Sequence, residues 1–137
     1  MSRKTAREVA MKLAFARLLG GDDTYESVLE ESGIKEVPTD DDVAYSNMVL
    51  EGIAQHSDEI DAKIDEFSID WRKERMPKVD FCILRIAMWE MLYCEEIPER
   101  VSINEAVELA KQFGGDHSPS FINGVLGALS KAEKAAE

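Results

Sequence analysis

The stretch FCILRIAMWEMLYC, from Phe81 to Cys94, constrains the fold of this chain more than any other. It is apolar around most of a helical circumference, and only Arg85 and Glu90 break the pattern. A helix of that kind belongs at the centre of a domain, with other helices around it. Arg85 and Glu90 must then find partners or a route to solvent. Pro77 is placed to open the helix, so the spacing predicts one from Pro77 to Tyr93.

The rest of the chain also reads as helical. Ala6, Val9, Ala10 and Leu13 mark an apolar stripe on a helix over 4–19, with Thr5 and Glu8 as a candidate capping box. Basic residues in its first turn oppose the helix dipole, which an anionic partner would relieve; a frayed, solvated terminus is the plainer alternative. Gly20 and Gly21 stop that helix. A short one follows over 24–32, with Tyr25, Val28 and Leu29 inward and Gly33 at its end. A third begins near Asp40, where three successive aspartates suit a helix N-terminus better than a metal site. His56, Ser57 and Asp58 look like a break before a short fourth helix carrying Ile60, Ile64 and Phe67. The tail from Lys131 has little to bury and is expected to fray. No strand-like alternation persists anywhere.

After Pro98 comes a helical hairpin. Ser102 and Glu105 have capping-box spacing, and Ile103, Ala106, Val107, Ala110 and Phe113 share one face. Gly114 and Gly115 are expected to turn the chain in the left-handed region. Ser118 and Pro119 then read as a cap and a first-turn proline, before an apolar face of Phe121, Ile122, Val125, Leu126 and Leu129.

Composition narrows the function. The chain has 137 residues, which suits one domain, and 45% are apolar. No apolar run is long enough to span a membrane. The basic start lacks a signal-peptide core, so a cytoplasmic location is expected. Cys82 and Cys94 would stand roughly 18 Å apart on one helix, too far for a disulfide. With only His56 and His117, no credible zinc set exists, and no cofactor is expected. There is no Ser/His/Asp set and no phosphate loop, so no catalytic residue is assigned. Net charge is −12, which by itself argues against nucleic acid. The distribution changes that argument. Residues 1–17 hold Arg3, Lys4, Arg7, Lys12 and Arg17 against Glu8 alone, a local +4 that leaves −16 on the remainder. Arg72, Lys73, Arg75 and Lys78 form a weaker second cluster, interrupted by Glu74. Phosphate responds to potential within a Debye length of about 8 Å, so a basic end on an acidic body can still hold RNA.

Three segments resemble the NusB family of bacterial transcription antitermination factors. The hairpin wording is one: Ile103 to Ala106, Glu108 to Lys111, Phe113-Gly114 and Phe121 to Leu126. Arg3 to Glu8, followed by Ala10 and Leu13, is similar to the family's opening segment. Val79-Asp80, with Ile83 to Ala87 and Glu90, is similar to its central helix. The likeness spans nearly the whole chain, though residues 20 to 70 match only in pattern. It implies an all-α fold of two small helical bundles packed together, over 1–70 and 71–137. It further implies binding of boxA RNA together with NusE, a ribosomal protein, and work within the transcription elongation complex. Homodimerisation stays open.

Residue by residue, the resemblance puts RNA contacts on Arg3, Lys4, Arg7 and Phe15, and on Phe113, Gly114, Gly115, Ser118 and Phe121. It puts a NusE contact on Asp80. Phe15 stands where the family usually has Tyr, so it can stack on a base but cannot donate a hydroxyl hydrogen bond. Lys12 stands where Gln is frequent, and His117 where some relatives are acidic. Phe113 and Phe121 also lie on predicted core faces, Ser118 also reads as a cap, and the glycines also read as a turn. Two further functions stand beside this one. Some ribosomal RNA cytosine methyltransferases carry a NusB-like domain, but that reading needs a glycine loop and catalytic cysteines that are not found here. A protein–protein adaptor without RNA binding is the other.

Overall fold

The computed structural model describes residues 3–68 and 76–136. Among the described residues six helices occur in the order α1 (Arg3–Leu18), α2 (Tyr25–Ser32), α3 (Asp40–Phe67), α4 (Lys78–Tyr93), α5 (Glu99–Phe113) and α6 (Ser118–Ala135). No strand occurs among the described residues. Helices α1–α3 pack on one another, as do α4–α6, and α4 joins the two groups through α1 and α3. The all-α expectation of two small packed bundles is met. The cluster at Arg72, Lys73 and Arg75 and the side chain of Arg3 lie outside the described residues.

Local signals account for several boundaries. Thr24 caps α2 and exchanges hydrogen bonds with Ser27, while Gly33, at φ 68°, takes the left-handed turn that closes it. Thr39 caps α3, and Asp42 returns the contact by accepting the Thr39 N–H at 2.8 Å. The three aspartates therefore serve the helix start, as expected.

Other expectations are refined or corrected. The break expected at His56 is present as a kink between two helical segments, with no loop between them. The residue leaves helical geometry at φ −116°, ψ 17°, but α3 resumes at once and runs to Phe67 as a kinked helix. His56 stacks on Tyr93 of α4, ring centroids 4.0 Å apart, which supports the kink from outside α3. Helix α5 starts at Glu99 behind Pro98, so Ser102 is not its cap. Gly114 is extended at φ −93°, ψ −174°, not left-handed. Its need for glycine is steric instead: a Cβ there would stand 2.7 Å from Ser118 Cβ and 2.8 Å from the Ala110 carbonyl. The tail stays helical to Ala135, tied down by Lys63–Glu133 and by hydrogen bonding of Ser130 to Glu99.

The core gathers on α4. Phe81, Cys82, Ile83, Leu84, Ile86, Ala87, Met88 and Trp89 are all buried there. One apolar cluster runs through α1, α3, α4, α5 and α6, and α2 closes a second against Val9, Leu13 and Leu50. Arg85 escapes sideways to Asp61, bonding both carboxylate oxygens at 2.9 and 2.7 Å across the Phe81 ring. Cys82 and Cys94 are both free and buried, and burial pushes each thiol up to about 11. Gly52 of α3 lets the Trp89 indole lie directly on its backbone, where any Cβ would overlap the ring.

Leu84 is fully buried, so Leu84→Ala should cost roughly 2–5 kcal/mol in urea denaturation. Gly52→Ala should cost about 1–3 kcal/mol despite better helix propensity, because Trp89 must move. Full stability in either variant would mean that α4 is not the centre of packing.

Candidate nucleic-acid interface

The first turns of α1 divide into an outward and an inward side. Lys4 and Arg17 are exposed. Arg7 is not: it is 5% exposed and turned into the core. Its Nε donates to Glu90 Oε2 at 2.9 Å and its Nη2 to Oε1 at 3.1 Å. Tyr45 of α3 donates its hydroxyl to Oε2, and Ser102 of α5 donates to Oε1 at 2.8 Å. Burial alone would lower the Arg7 guanidinium, but the hydrogen bond and charge of Glu90 outweigh it and hold it above its ordinary value. The expectation that Arg7 faces RNA is corrected: a lone acid in the apolar helix α4 needed a cation, and Arg7 is that cation. Tyr45 and Ser102 had no signal of their own, because their partner is remote in sequence.

Further along α1, the expected aromatics come together. Phe15 of α1 and Phe113 at the end of α5, both half-buried, line one open groove of about 480 Å³. Lys12 borders it. Its ammonium sits 4.9 Å from the centroid of Phe113 and donates to Glu8 at 3.0 Å and Ser32 at 2.8 Å. Val28 and Ser32 of α2 complete the wall, with Val79 of α4. No local signal in α2 pointed to this contribution.

A second hollow, of about 170 Å³, lies at the start of α6. Asp80, Gly115, His117, Ser118 and Phe121 line it. Val79 and Asp80 are consecutive, so the start of α4 borders both hollows. Ser118 is the first residue of α6 and is buried. Its Oγ accepts the Gly115 N–H at 3.0 Å and donates to the Asp80 carboxylate, 2.8 and 2.9 Å from the two oxygens. Asp80 is 3% exposed. Ser118 and Asp80 therefore hold the hollow together from beneath and are not outward contacts, which corrects both expectations. Burial raises the Asp80 carboxyl above its ordinary value, and the Ser118 hydroxyl offsets part of that. Phe121 is half-buried at the edge, and Gly115 and His117 are exposed.

Among the described residues no group of three or more His, Cys, Asp or Glu is arranged to hold a metal, and no helix is long and apolar enough to cross a membrane.

Comparison with known proteins bears on the fold and the family. Residues 4–131 match the model of the NusB family. The chain is 40% identical to the transcription antitermination protein NusB of Clostridium novyi, covering 96% of this chain and all of the relative. It is 41% identical to the NusB of Clostridium botulinum strain Loch Maree, covering 94% and 99%. Among solved structures, T. maritima NusB superposes with a TM-score of 0.81 at 30% identity, over 96% of this chain and 92% of that one. A chain from a crystal structure of the antitermination factors NusB and NusE with double-stranded RNA superposes with a TM-score of 0.79 at 26% identity, over 95% and 96%.

The Asp80 geometry carries a pH signature. The folded state holds the Asp80 proton more firmly than the unfolded chain does. The linked stability is full below the ordinary carboxylate value and is lost as pH rises through the raised one. Asp80→Asn cannot titrate, so the parent should lose ground to it as pH rises from below the ordinary carboxylate value through the raised one. Urea midpoints at several pH values measure this. A gap that stays constant or opens in the parent's favour would contradict the assigned direction.

Proposed function

The chain belongs to the NusB family, and from that membership we propose that it is a transcription antitermination factor that binds boxA-type RNA together with NusE during ribosomal RNA transcription. The observation that carries this reading is the groove where Phe15 and Phe113 meet beside Lys12, on the helix whose first turn is basic. RNA-binding proteins take single-stranded bases on aromatic faces and phosphates on nearby cations. Here Arg3 and Lys4 supply charge, and Phe15 and Phe113 supply ring surface. Phe121 supplies a second edge at the hollow by α6. Gly115 keeps the exposed backbone open to close approach, and Gly114 lets the chain pack against Ser118 beneath it. Asp80 acts on NusE binding indirectly, by shaping that hollow with Ser118. The setting is cytoplasmic and the larger assembly is the transcription elongation complex. The chain acts by binding and not by catalysis.

The basic footprint is small on a chain of net charge −12, so RNA binding by the chain alone is weak and NusE strengthens it. If about three phosphates are neutralised, affinity should fall with salt at a logarithmic slope near −2. Replacing Arg3 and Lys4 together with Gln should weaken binding for every RNA sequence and flatten that slope by about 1.4. Phe15→Ala should cost roughly 1–3 kcal/mol of binding if the ring stacks on a base. Titration of boxA RNA with and without NusE, paired with thermal melting of each variant, tests these outcomes. An Arg3/Lys4 variant that folds normally and binds like the parent would leave the adaptor reading as the better one.

A further inference from the structure

Arg7 points inward near the start of a helix whose first long apolar side chain in the main core, Met11, comes a turn later. Ala6 and Ala10 are fully buried and bring only methyl groups, and Val9 packs into the smaller cluster with α2. Arg7 bridges to α4 with a long side chain, and it does so with two hydrogen bonds to one carboxylate. That carboxylate is 1% exposed, and each of its oxygens takes a further donor, Tyr45 or Ser102. A planar guanidinium on a planar carboxylate fixes distance and rotation together, which a methyl contact does not. To reach a phosphate, Arg7 would have to leave Glu90 as a buried, uncompensated charge, a costly state.

We infer that Arg7 is a positioning residue: its ion pair with Glu90 fixes the rotation and height of α1, and so sets where the basic first turn meets RNA. Lys4 and Arg3 precede Arg7 by about one turn, roughly 4.5–6 Å along the axis, so any swing at Arg7 displaces them. The inference rests on the RNA-binding reading above and assigns Arg7 a role within it other than phosphate contact.

Two roles for Arg7 give opposite signs when Glu90 is neutralised. Glu90→Gln leaves the Arg7 charge in place and removes its partner. A phosphate contact would be freed and RNA would bind more tightly, with a salt slope steeper by about 0.7. A positioning residue loses its anchor, so binding of boxA RNA in the presence of NusE should weaken roughly 2- to 30-fold with the slope unchanged. Arg7→Lys, which keeps the charge but not the fork, should weaken binding in the same way. The Arg7→Gln/Glu90→Gln pair, which restores a neutral hydrogen-bonded contact, should recover part of the loss relative to Glu90→Gln.

Amide hydrogen exchange adds a readout independent of RNA. Glu90→Gln should speed exchange in α1 while α6 stays protected. Tighter RNA binding, unchanged binding, or an α1 no faster than α6 overturns the inference. If Glu90→Gln does not fold, Ser102→Ala removes one donor and leaves both charges, and the same signs should appear at smaller size. If the parent binds no RNA at all, the functional reading fails on its own. The exchange experiment then still decides whether Arg7 anchors α1.

Discussion

The fold turns on one buried carboxylate. Glu90 stands in the most apolar helix of the chain and is satisfied by Arg7, Tyr45 and Ser102, from three other helices. A carboxylate out of water is tolerable only when its acceptor sites are filled and its charge is opposed. Such a pair often adds little net stability compared with well-packed apolar side chains of the same size. What it does impose is selectivity among packings. Apolar faces can slide on one another at small cost, whereas every misplacement of these four helices strands a charge or a hydroxyl.

That requirement explains how a chain with a large acidic excess can present a basic helix end. Helix α1 lies against α3 and α4 through Ala6, Ala10 and Met11 as well as Arg7, while Lys4 and Arg17 stay on its outer side. The grooves then form where α1, α2 and α5 diverge from the start of α4. Phe15 and Phe113 are neither fully in the core nor free of it. Each has one side packed on the apolar cluster and lines the open groove. Rings held in this way are already ordered, which lowers the entropic cost of stacking a base on them.

Much of this was legible in the residues. The all-round apolarity from Phe81 to Cys94 located the central helix, and the aspartate run and Gly33 marked helix ends correctly, because those signals act through nearest neighbours. The failures share a cause. Ser102 has the spacing of a cap, but its partner is Glu90, twelve positions earlier on another helix. Arg7 looks like part of a basic surface segment until its partner, 83 positions away, is known. Ser118 reads as a cap for its own helix, yet its hydroxyl is directed to Asp80 of α4. The break read at His56 is real but takes the form of a kink, because stacking on Tyr93 and packing of Ile60 and Ile64 hold the second helical segment in line. For the site, family likeness named Phe15 and Phe113 separately, and neither their meeting in one groove nor the wall supplied by α2 was expected. Local chemistry specifies what a side chain can do; the packing decides which of those options is taken.

The two buried cysteines have a practical meaning. Thiols react as thiolates, and both Cys82 and Cys94 are held well above neutral pH as well as shut away from solvent. An alkylating reagent therefore meets them only in molecules that have opened. Cys82 lies among the buried residues of α4, and Cys94 at the cap that closes the same helix. The chain thus carries its own chemical clock for the opening of its centre. The rate of thiol modification follows the population of the open state when reclosing is faster than labelling. No label has to be introduced to follow how a partner or a substitution shifts that population.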